Sequence, residues 1–475
     1  MKAVMVAILL CLSLSAGSRS FAAPPNLPLQ TPIWFDGPRL SLSGIELLSL
    51  MADLGMRDAG ILSQAEARDI ATTDTYLTRS LLAINHIVIG HQVSQYQLTL
   101  PAIVQAHHNN RLTELIDQQL PRFADVLALR AAISKFRQLA RVTWPEIPVT
   151  FTPRLGQRHH HIGSLIFMLK SLGDYTAPHT SQQHSFTPAV QQALRRFQAR
   201  HGLPQSGMLN ELTRQRLSLP PAARLSVLQQ NLYRLLSLPS LPPSRYITVN
   251  IPEFTLSYIA HRQTIASMPV VVGTPFTPTP VMLTEIDRIT QHPQWVPTAS
   301  IVKGELLSAL DTSPGWLAQQ GFHWVSRRDP TQRLPLQAGL KDPRAQYKTH
   351  LLVQRPGASN ALGQWRFNIK NHDAIYLHDT PQKQFFSHQN RALSHGCIRL
   401  AEPGKLAQLI LADAALTHNN NQTRHYRLAE PIPVYINYQT VVVRQNRLIW
   451  LKDIYQVDVT DTPFHQRQLT KQRTF

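Results

Sequence analysis

Cysteine is almost missing from this chain: there are two in 475 residues, Cys11 and Cys397. A disulfide framework and a tandem metal-ligand motif are thereby excluded. Acidic residues are scarce too, 28 against 47 Lys and Arg, for a formal net charge of +19. So large an excess of base suits an anionic partner: nucleic acid, a membrane surface or an anionic envelope polymer. The positive residues are scattered rather than gathered in one run, which describes a general field and not a groove-reading element. Internal repeats and phosphate-binding glycine loops are absent. Beyond the N-terminus no stretch is long and apolar enough to span a bilayer.

What is present begins with a secretory signal over residues 1–22. Lys2 supplies the charge, Ala3–Leu14 the short apolar run, and Ser20-Phe21-Ala22 the small residues around a cleavage site. Ile8-Leu9-Leu10 lack the small residue expected before a lipidated cysteine, which disfavours a lipoprotein reading of Cys11. The mature chain is then exported and carries Cys397 alone. Export weakens the nucleic-acid reading, which rests on charge only. An unpaired thiol in an oxidising compartment is unusual. A buried, inert thiol is disfavoured, because Cys397 follows Gly396 in a largely polar stretch.

The patterning changes along the chain. Pro24–Pro38 is Pro-rich and extended. Leu40–Leu54, Leu77–Ile89 and Leu112–Phe136 carry apolar residues at helical spacing. His159, His160 and His161 form a cluster, but adjacent histidines on regular structure do not converge and no acidic partner is near, so no metal is expected. Leu165, Met168, Leu169 and Leu172 make one helix face. Thr187-Pro188 caps the next helix, which runs through Val190, Leu194 and Phe197 to a stop at Gly202. Leu225, Leu228, Leu232 and Leu235 mark one more helix, and Pro239–Pro243 a linker. Strand alternation then takes over: Tyr246–Ile251, a hairpin of Phe254–Ile259 and Thr264–Val272 around His261-Arg262, and Met282–Ile289. Residues 296–349 interrupt the strands. These resume at Leu351–Gln354, Gln364–Ile369 and Ala374–His378, and Pro403–Ala415 follows as a helix. The whole predicts an α+β multidomain chain.

The chemistry gathers in Ile375–Leu400. Cys397 follows Ser394-His395-Gly396, and His378 ends a short apolar run upstream. A thiol needs a neighbouring base to react near neutral pH. On a strand, Tyr376 and His378 point one way and Ile375 and Leu377 the other, so His378 is the candidate base. His395 either tunes the thiol or holds the loop. Gly396 permits a tight turn, and the amides of Gly396 and Cys397 are candidate oxyanion donors. Ser394 bonds within the loop. Arg399 either receives a substrate carboxylate or fixes the loop by a salt bridge. Tyr376 lines the pocket or packs.

These residues resemble the L,D-transpeptidase (YkuD-type) catalytic domain, whose signature is an upstream His and then Ser/Thr-His-Gly-Cys, an apolar residue and Arg or Asn. Gln354-Arg355-Pro356-Gly357, Asn360-Ala361-Leu362-Gly363 and Tyr376–Pro381 are similar to its multidomain, YcbB-like periplasmic branch. Phe197-Gln198-Ala199-Arg200-His201-Gly202-Leu203 resembles a peptidoglycan-binding motif, with Ser206-Gly207 where Asp-Gly is usual. That module either binds glycan or keeps the fold as a spacer.

The patterning and the resemblance together divide the chain into a signal peptide (1–22), a helical scaffold (23–155), a peptidoglycan-binding-like domain (156–220), a helix and linker (221–245), a β-rich catalytic domain (246–459) and a basic tail (460–475). It implies that an insertion at about 296–349 forms a lid, with Trp295, Trp316 and Trp324 lining it or anchoring its own core. Trp295 is counted with Tyr376 and Arg399 as substrate-binding. It implies a thiolate–imidazolium pair of Cys397 and His378, the ring oriented by the carbonyl of Asp379 rather than by its carboxylate. No cofactor is implied. The implied reaction takes peptidoglycan stem peptides in the periplasm: Cys397 attacks the diaminopimelate carbonyl of a tetrapeptide stem, releases D-Ala, and passes the acyl group to an amine of a neighbouring stem, giving a 3→3 cross-link. Peptidoglycan synthases are admitted as partners. A carboxypeptidase or cysteine hydrolase on the same stems and a wall-binding structural protein are the alternatives.

Overall fold

The computed structural model describes residues 31–56, 70–89, 97–177, 184–336, 342–411 and 422–458. The expected signal peptide and basic tail lie outside the described residues. The described chain divides into two compact units, one up to Pro121 and one from Arg122 onward.

The first unit opens on a two-residue pairing of Phe35–Asp36 (β1) with Arg39–Leu40 (β2). Among the described residues four helices follow: Leu42–Asp53 (α1), Ile70–Ile89 (α2), Leu100–His108 (α3) and Leu112–Asp117 (α4). Ser41 caps α1 by accepting the Gly44 N–H, and Thr99 caps α3 ahead of Pro101. Leu47, Leu50, Met51, Leu77, Leu81 and Ile84 are fully buried where these helices meet. The buried Asp74 carboxylate accepts the N–H groups of Ile33 and Trp34 at 2.7 and 2.8 Å, which pins the entering chain to α2. The helical periodicity of Leu112–Phe136 is broken in fact. The chain leaves α4 at Asp117, passes Pro121, which cannot donate a helical hydrogen bond, and resumes as Ala124–Leu139 (α5).

In the second unit α5 packs against Pro221–Leu235 (α9). Between them lie His160–Ser171 (α6), Pro188–Arg200 (α7) and Glu211–Ser218 (α8). Thr187 and Asn210 cap α7 and α8. Leu165, Met168, Leu169, Val190, Leu194 and Phe197 are fully buried among them.

The strands that follow are Arg245–Asn250 (β3), Thr255–Ala260 (β4), Gln263–Gly273 (β5), Met282–Gln291 (β6), Phe322–Ser326 (β7), Arg333–Pro335 (β8), His350–Gln354 (β9), Trp365–Ile369 (β10), Tyr376–His378 (β11), Ala392–Ser394 (β12), Ile398–Leu400 (β13) and Arg424–Asn437 (β14). Nine of them form one sheet in the order β12-β5-β13-β11-β10-β6-β14-β3-β4. His261 and Arg262 turn the β4–β5 hairpin with φ of +49° and +64°, the left-handed conformation that a two-residue turn between twisted strands requires. One face of the sheet buries Ile247, Val249, Leu256, Val270, Ile289, Phe367, Leu377, Ile398 and Val434. The helix after the cysteine, Pro403–Leu411, closes that core with Leu406, Ala407 and Ile410. The remainder of the expected helix, to Ala415, lies outside the described residues. A final hairpin, Val441–Arg444 (β15) with Arg447–Trp450 (β16), packs toward α7 and α9.

The insertion has its own core and runs past residue 349. Ala299–Ile301, a π-helical turn at Val302–Leu306 and Leu307–Thr312 are followed by a short helix at Pro314–Gln319. Leu307, Leu310, Leu317, Phe322, Trp324 and Leu352 pack together. β9 belongs here, because it pairs with β7 in the separate sheet β8-β7-β9 and not with the large sheet. A bridge between Trp295 and Gln354 closes the base of the insertion. Trp324 is a buried anchor of this core, Trp295 packs at its edge, and Trp316 is exposed.

Candidate active site

β11 and β13 are parallel neighbours with Leu377 opposite Ile398 and His378 opposite Arg399. Leu377 and Ile398 point into the core. Alternation therefore sends Tyr376, His378, Cys397 and Arg399 to the other face. Cys397 stands immediately before β13, beside Tyr376, and is half-buried.

The loop before the cysteine is held from within and from behind. Ser394 Oγ donates to the Cys397 carbonyl at 2.6 Å and accepts the Gly396 N–H at 3.1 Å. Gly396 has φ of +110°, and a Cβ there would press on Ile375. Behind it, Thr279 Oγ1 donates to the Gly396 carbonyl (2.7 Å) and accepts the Gly273 N–H (2.9 Å). Thr277 donates to the Ser394 carbonyl, and the Tyr455 hydroxyl donates to Gly273 O and accepts the Thr279 N–H. The Gly396 amide is thus engaged by Ser394 and serves the turn.

In front of the sulfur lies the β10–β11 loop. The thiol donates to the Ala374 carbonyl at 3.8 Å, and the Tyr376 main-chain N–H faces the sulfur. Ala374 takes φ of +53°, a conformation uncommon outside glycine. Asn371 braces it, donating to Ile369 O and Ile375 O and accepting the N–H groups of Asp373 and Ile375.

His378 is 4% exposed. Its Nδ1–H donates to the Asp379 carbonyl at 2.5 Å, so Nε2 holds the lone pair and has no other partner among the described residues. The Asp379 carboxylate is spent elsewhere: it accepts the N–H groups of Gln364 and Thr380 and the Lys383 ammonium. Burial, then the charges of Arg399 and Arg366, push the imidazole down to about 3. Burial pushes the Cys397 thiol up, opposed by the Tyr376 N–H and Arg399. Burial thus works against the charged form of each group. Tyr376 lies edge-on to His378 at 5.9 Å, and its phenol, pushed up to about 12 by burial and by Cys397, is reached by the Trp295 side chain.

Arg399 donates to Gln382 Oε1 at 2.7 Å and lies 5.6 Å over the Phe385 ring, while its buried Nε has no partner. No carboxylate pairs with it among the described residues, so the salt bridge considered for it is not formed. His395 turns away from the sulfur: it is exposed, and its Nε2 meets Glu305 Oε1 at 2.6 Å, on the π-helical turn of the insertion. The sequence reading missed Thr279, Tyr455, Asn371 and Ala374. Their signals were a Thr/Pro-rich loop and an Asn between two strand runs, which mark turns without saying what the turns present.

The histidine cluster lies far along the chain. His159 caps α6 by accepting the His161 N–H, and the three imidazoles offer nitrogens within 4.8 Å of one another. Regular structure thus does not spread them as expected, because a helix N-cap and its first turn fold back on themselves.

A half-buried thiol and a buried imidazole thus lie on neighbouring segments of a mixed sheet, in an α+β multidomain chain with helical modules before it. Residues 244–436 match the family model described as "L,D-transpeptidase catalytic domain" (YkuD), and residues 168–217 match "Putative peptidoglycan binding domain". The chain therefore carries a YkuD L,D-transpeptidase catalytic domain together with a peptidoglycan-binding domain. It is similar to a protein named "Putative L,D-transpeptidase" from Haemophilus influenzae, 30% identical over 225 residues. That alignment spans 45% of this chain and 44% of the relative, less than half of its length. Among solved structures it is similar to an L,D-transpeptidase from Stackebrandtia nassauensis (16% identity, 60% of this chain and 93% of that one, TM-score 0.22). Another is an L,D-transpeptidase from Mycobacterium smegmatis (13% identity, 41% and 59%, TM-score 0.20).

Proposed function

We propose that this protein is an exported, periplasmic L,D-transpeptidase that forms 3→3 cross-links between peptidoglycan stem peptides. One observation carries the reading: Cys397 and His378 share a face of adjacent parallel strands, and Asp379 O fixes the ring so that Nε2 is the free base. A neutral imidazole can take a proton as the thiol attacks.

The Cys397 Sγ–H proton passes to His378 Nε2 while sulfur bonds to the diaminopimelate carbonyl carbon. The Cys397 amide is the loop's remaining candidate donor for the oxyanion. The intermediate collapses, the C–N bond breaks, and D-Ala leaves as the amine with the proton from Nε2. An amine of a second stem then attacks the thioester, gives its proton to Nε2, and displaces sulfur, which recovers it. One amide replaces another, so the balance needs no nucleotide. Tyr376 and Trp295 bound the pocket, and Arg399, with no acidic partner, is the candidate for a substrate carboxylate. His395 acts as a tie between the loop and the insertion. The insertion, acting as a lid, favours amine over water by limiting access.

Product mass spectrometry with disaccharide-tetrapeptide tests this. A cysteine-dependent dimer that has lost one D-Ala is expected. Tripeptide without dimer would move the protein to the carboxypeptidase reading, and no product would leave a wall-binding role.

A further inference from the structure

The sheet face that carries Cys397 also carries arginines that the reaction above leaves unused. Directly opposite residues of paired antiparallel strands share a face. Arg366 on β10 lies opposite His378 on β11 and Thr290 on β6. Arg288 on β6 lies opposite Asn368 on β10 and Arg427 on β14. Ile289 and Phe367, their chain neighbours, are buried in the core. Arg288, Arg366 and Arg427 therefore stand on the open face with His378, Cys397 and Arg399.

Arg288 and Arg427 are exposed and Arg366 is half-buried. None of these three, nor Arg399, is ion-paired among the described residues. The acidic groups nearest on β6, Glu285 and Asp287, face Lys370 instead. Arg366 is held in place by Asn368 Oδ1 at 2.8 Å and by the Tyr376 ring 5.6 Å away. Like charges directly opposite on paired strands repel, so the Arg288–Arg427 pair has a cost that a bound anion would relieve. The mutual influence is felt along the row: Arg288 lowers the Arg366 pKa, and Arg366 and Arg399 both lower that of His378.

Strands lie about 4.8 Å apart. Arg399 to Arg366 is two strands, about 10 Å, or three residues of extended peptide at about 3.3 Å each. Arg288 and Arg427 are one and two strands further, at about 14 and 19 Å, so their long side chains meet the same carboxylates by leaning back along the row.

We propose that these arginines form a track for the carboxylates of the peptide that Cys397 attacks, which lies across the strands from β13 toward β14. The peptide's reacting end, with its terminal carboxylate, sits at Cys397 and Arg399; its two further carboxylates, on diaminopimelate and on the glutamyl residue, lie along Arg366 and Arg288, with Arg427 adding charge at the end of the row. The inference rests on the transpeptidase reading and deepens it by naming the charge and direction of the substrate.

The test uses the full chain with Arg288→Gln and Arg427→Gln together, and two substrates: disaccharide-tetrapeptide with free carboxylates and the same compound with its glutamyl and diaminopimelate carboxylates amidated. KM for the acid form should rise about tenfold with kcat within about twofold, and KM for the amidated form should not move. An unchanged KM, or equal shifts for both substrates, would overturn the track. Calorimetric binding of the same two compounds to Cys397→Ala protein, with and without the arginine changes, gives the comparison without turnover. Affinity lost only for the acid form supports the track; unchanged affinity overturns it. A wild-type protein that binds the acid form through these arginines yet turns nothing over would count against the transpeptidase reading and not against the track.

Discussion

His378 and His201 are both buried, both hold Nδ1 against a backbone carbonyl and both lie beside arginine, yet their surroundings treat the second nitrogen differently. In the helical module, His201 Nδ1 meets Phe197 O at 2.7 Å, and Nε2 accepts from Arg224 at 3.1 Å. Its ring stacks on Phe197 and Trp450. Arg224, fully buried and pushed down to about 9 by burial and by Arg200, also donates to the carbonyls of Leu219 and Arg216. Arg200 is consumed by both oxygens of Asp174 and by Leu448 O. His201, Arg224, Arg200 and Asp174 thus find partners inside the protein, as a scaffold requires. On the sheet, His378 Nε2 and Arg399 Nε have none among the described residues, and both side chains stand on the face with the thiol. Between these two histidines, spare hydrogen-bonding capacity, more than burial or pKa, marks the one that shares a face with the thiol.

The largest expected effect sharpens that contrast. Cys397→Ala should abolish cross-linking, a loss of at least about 10³-fold in kcat, with an unchanged melting curve. His378→Gln should lower the acylation rate by about 10²- to 10⁴-fold. His201→Gln should instead cost about 1–3 kcal/mol of stability by stranding Arg224, with the folded fraction still active. If His201→Gln abolished the chemistry in folded protein, the comparison would fail.

Both histidines are held below the ordinary imidazole value, His378 at about 3 and His201 well below the usual range by burial and Arg224. The unfolded chain takes up these protons below about pH 6.5 while the folded chain does not. Stability should be full above about 6.5 and fall progressively as pH drops toward 3. Melting temperature measured against pH should flatten over that window in each His→Gln variant. Alkylation of Cys397 by iodoacetamide reads the same site from the thiol side. With the thiol pushed up, the rate should climb about tenfold per pH unit from 7 to 9; a rate already flat from pH 5 would mean a preformed ion pair.

Smaller effects should come from the loop supports. Thr279→Val removes the bridge between Gly273 N and Gly396 O and should cost about 1–2 kcal/mol in a chemical denaturation curve. Glu305→Gln breaks an exposed contact to His395 and should change kcat by less than about threefold.

Local patterns were readable where one element decides them: the cap Thr187, the alternation of β3, the spacing of Cys397 and His378. Long-range pairings were not. β9 looks like any strand, and only its register with β7 assigns it to the insertion. Arg288 and Arg427 are 139 positions apart in sequence and become opposite neighbours through the β6–β14 register. Ala374 carries no signal for a positive φ; the turn is imposed by four Asn371 hydrogen bonds. His395 sits in the signature yet faces Glu305, 90 positions earlier, because an insertion whose fold is set by its own core brings that carboxylate to the loop.

The most direct test is intact-protein mass spectrometry of wild type, His378→Gln and His201→Gln, each acid-quenched after brief exposure to disaccharide-tetrapeptide. The disaccharide-tripeptide should appear as a thioester on Cys397 in wild type and in folded His201→Gln, and be missing from His378→Gln. An adduct forming on His378→Gln at the wild-type rate would contradict the assignment of His378 as the base.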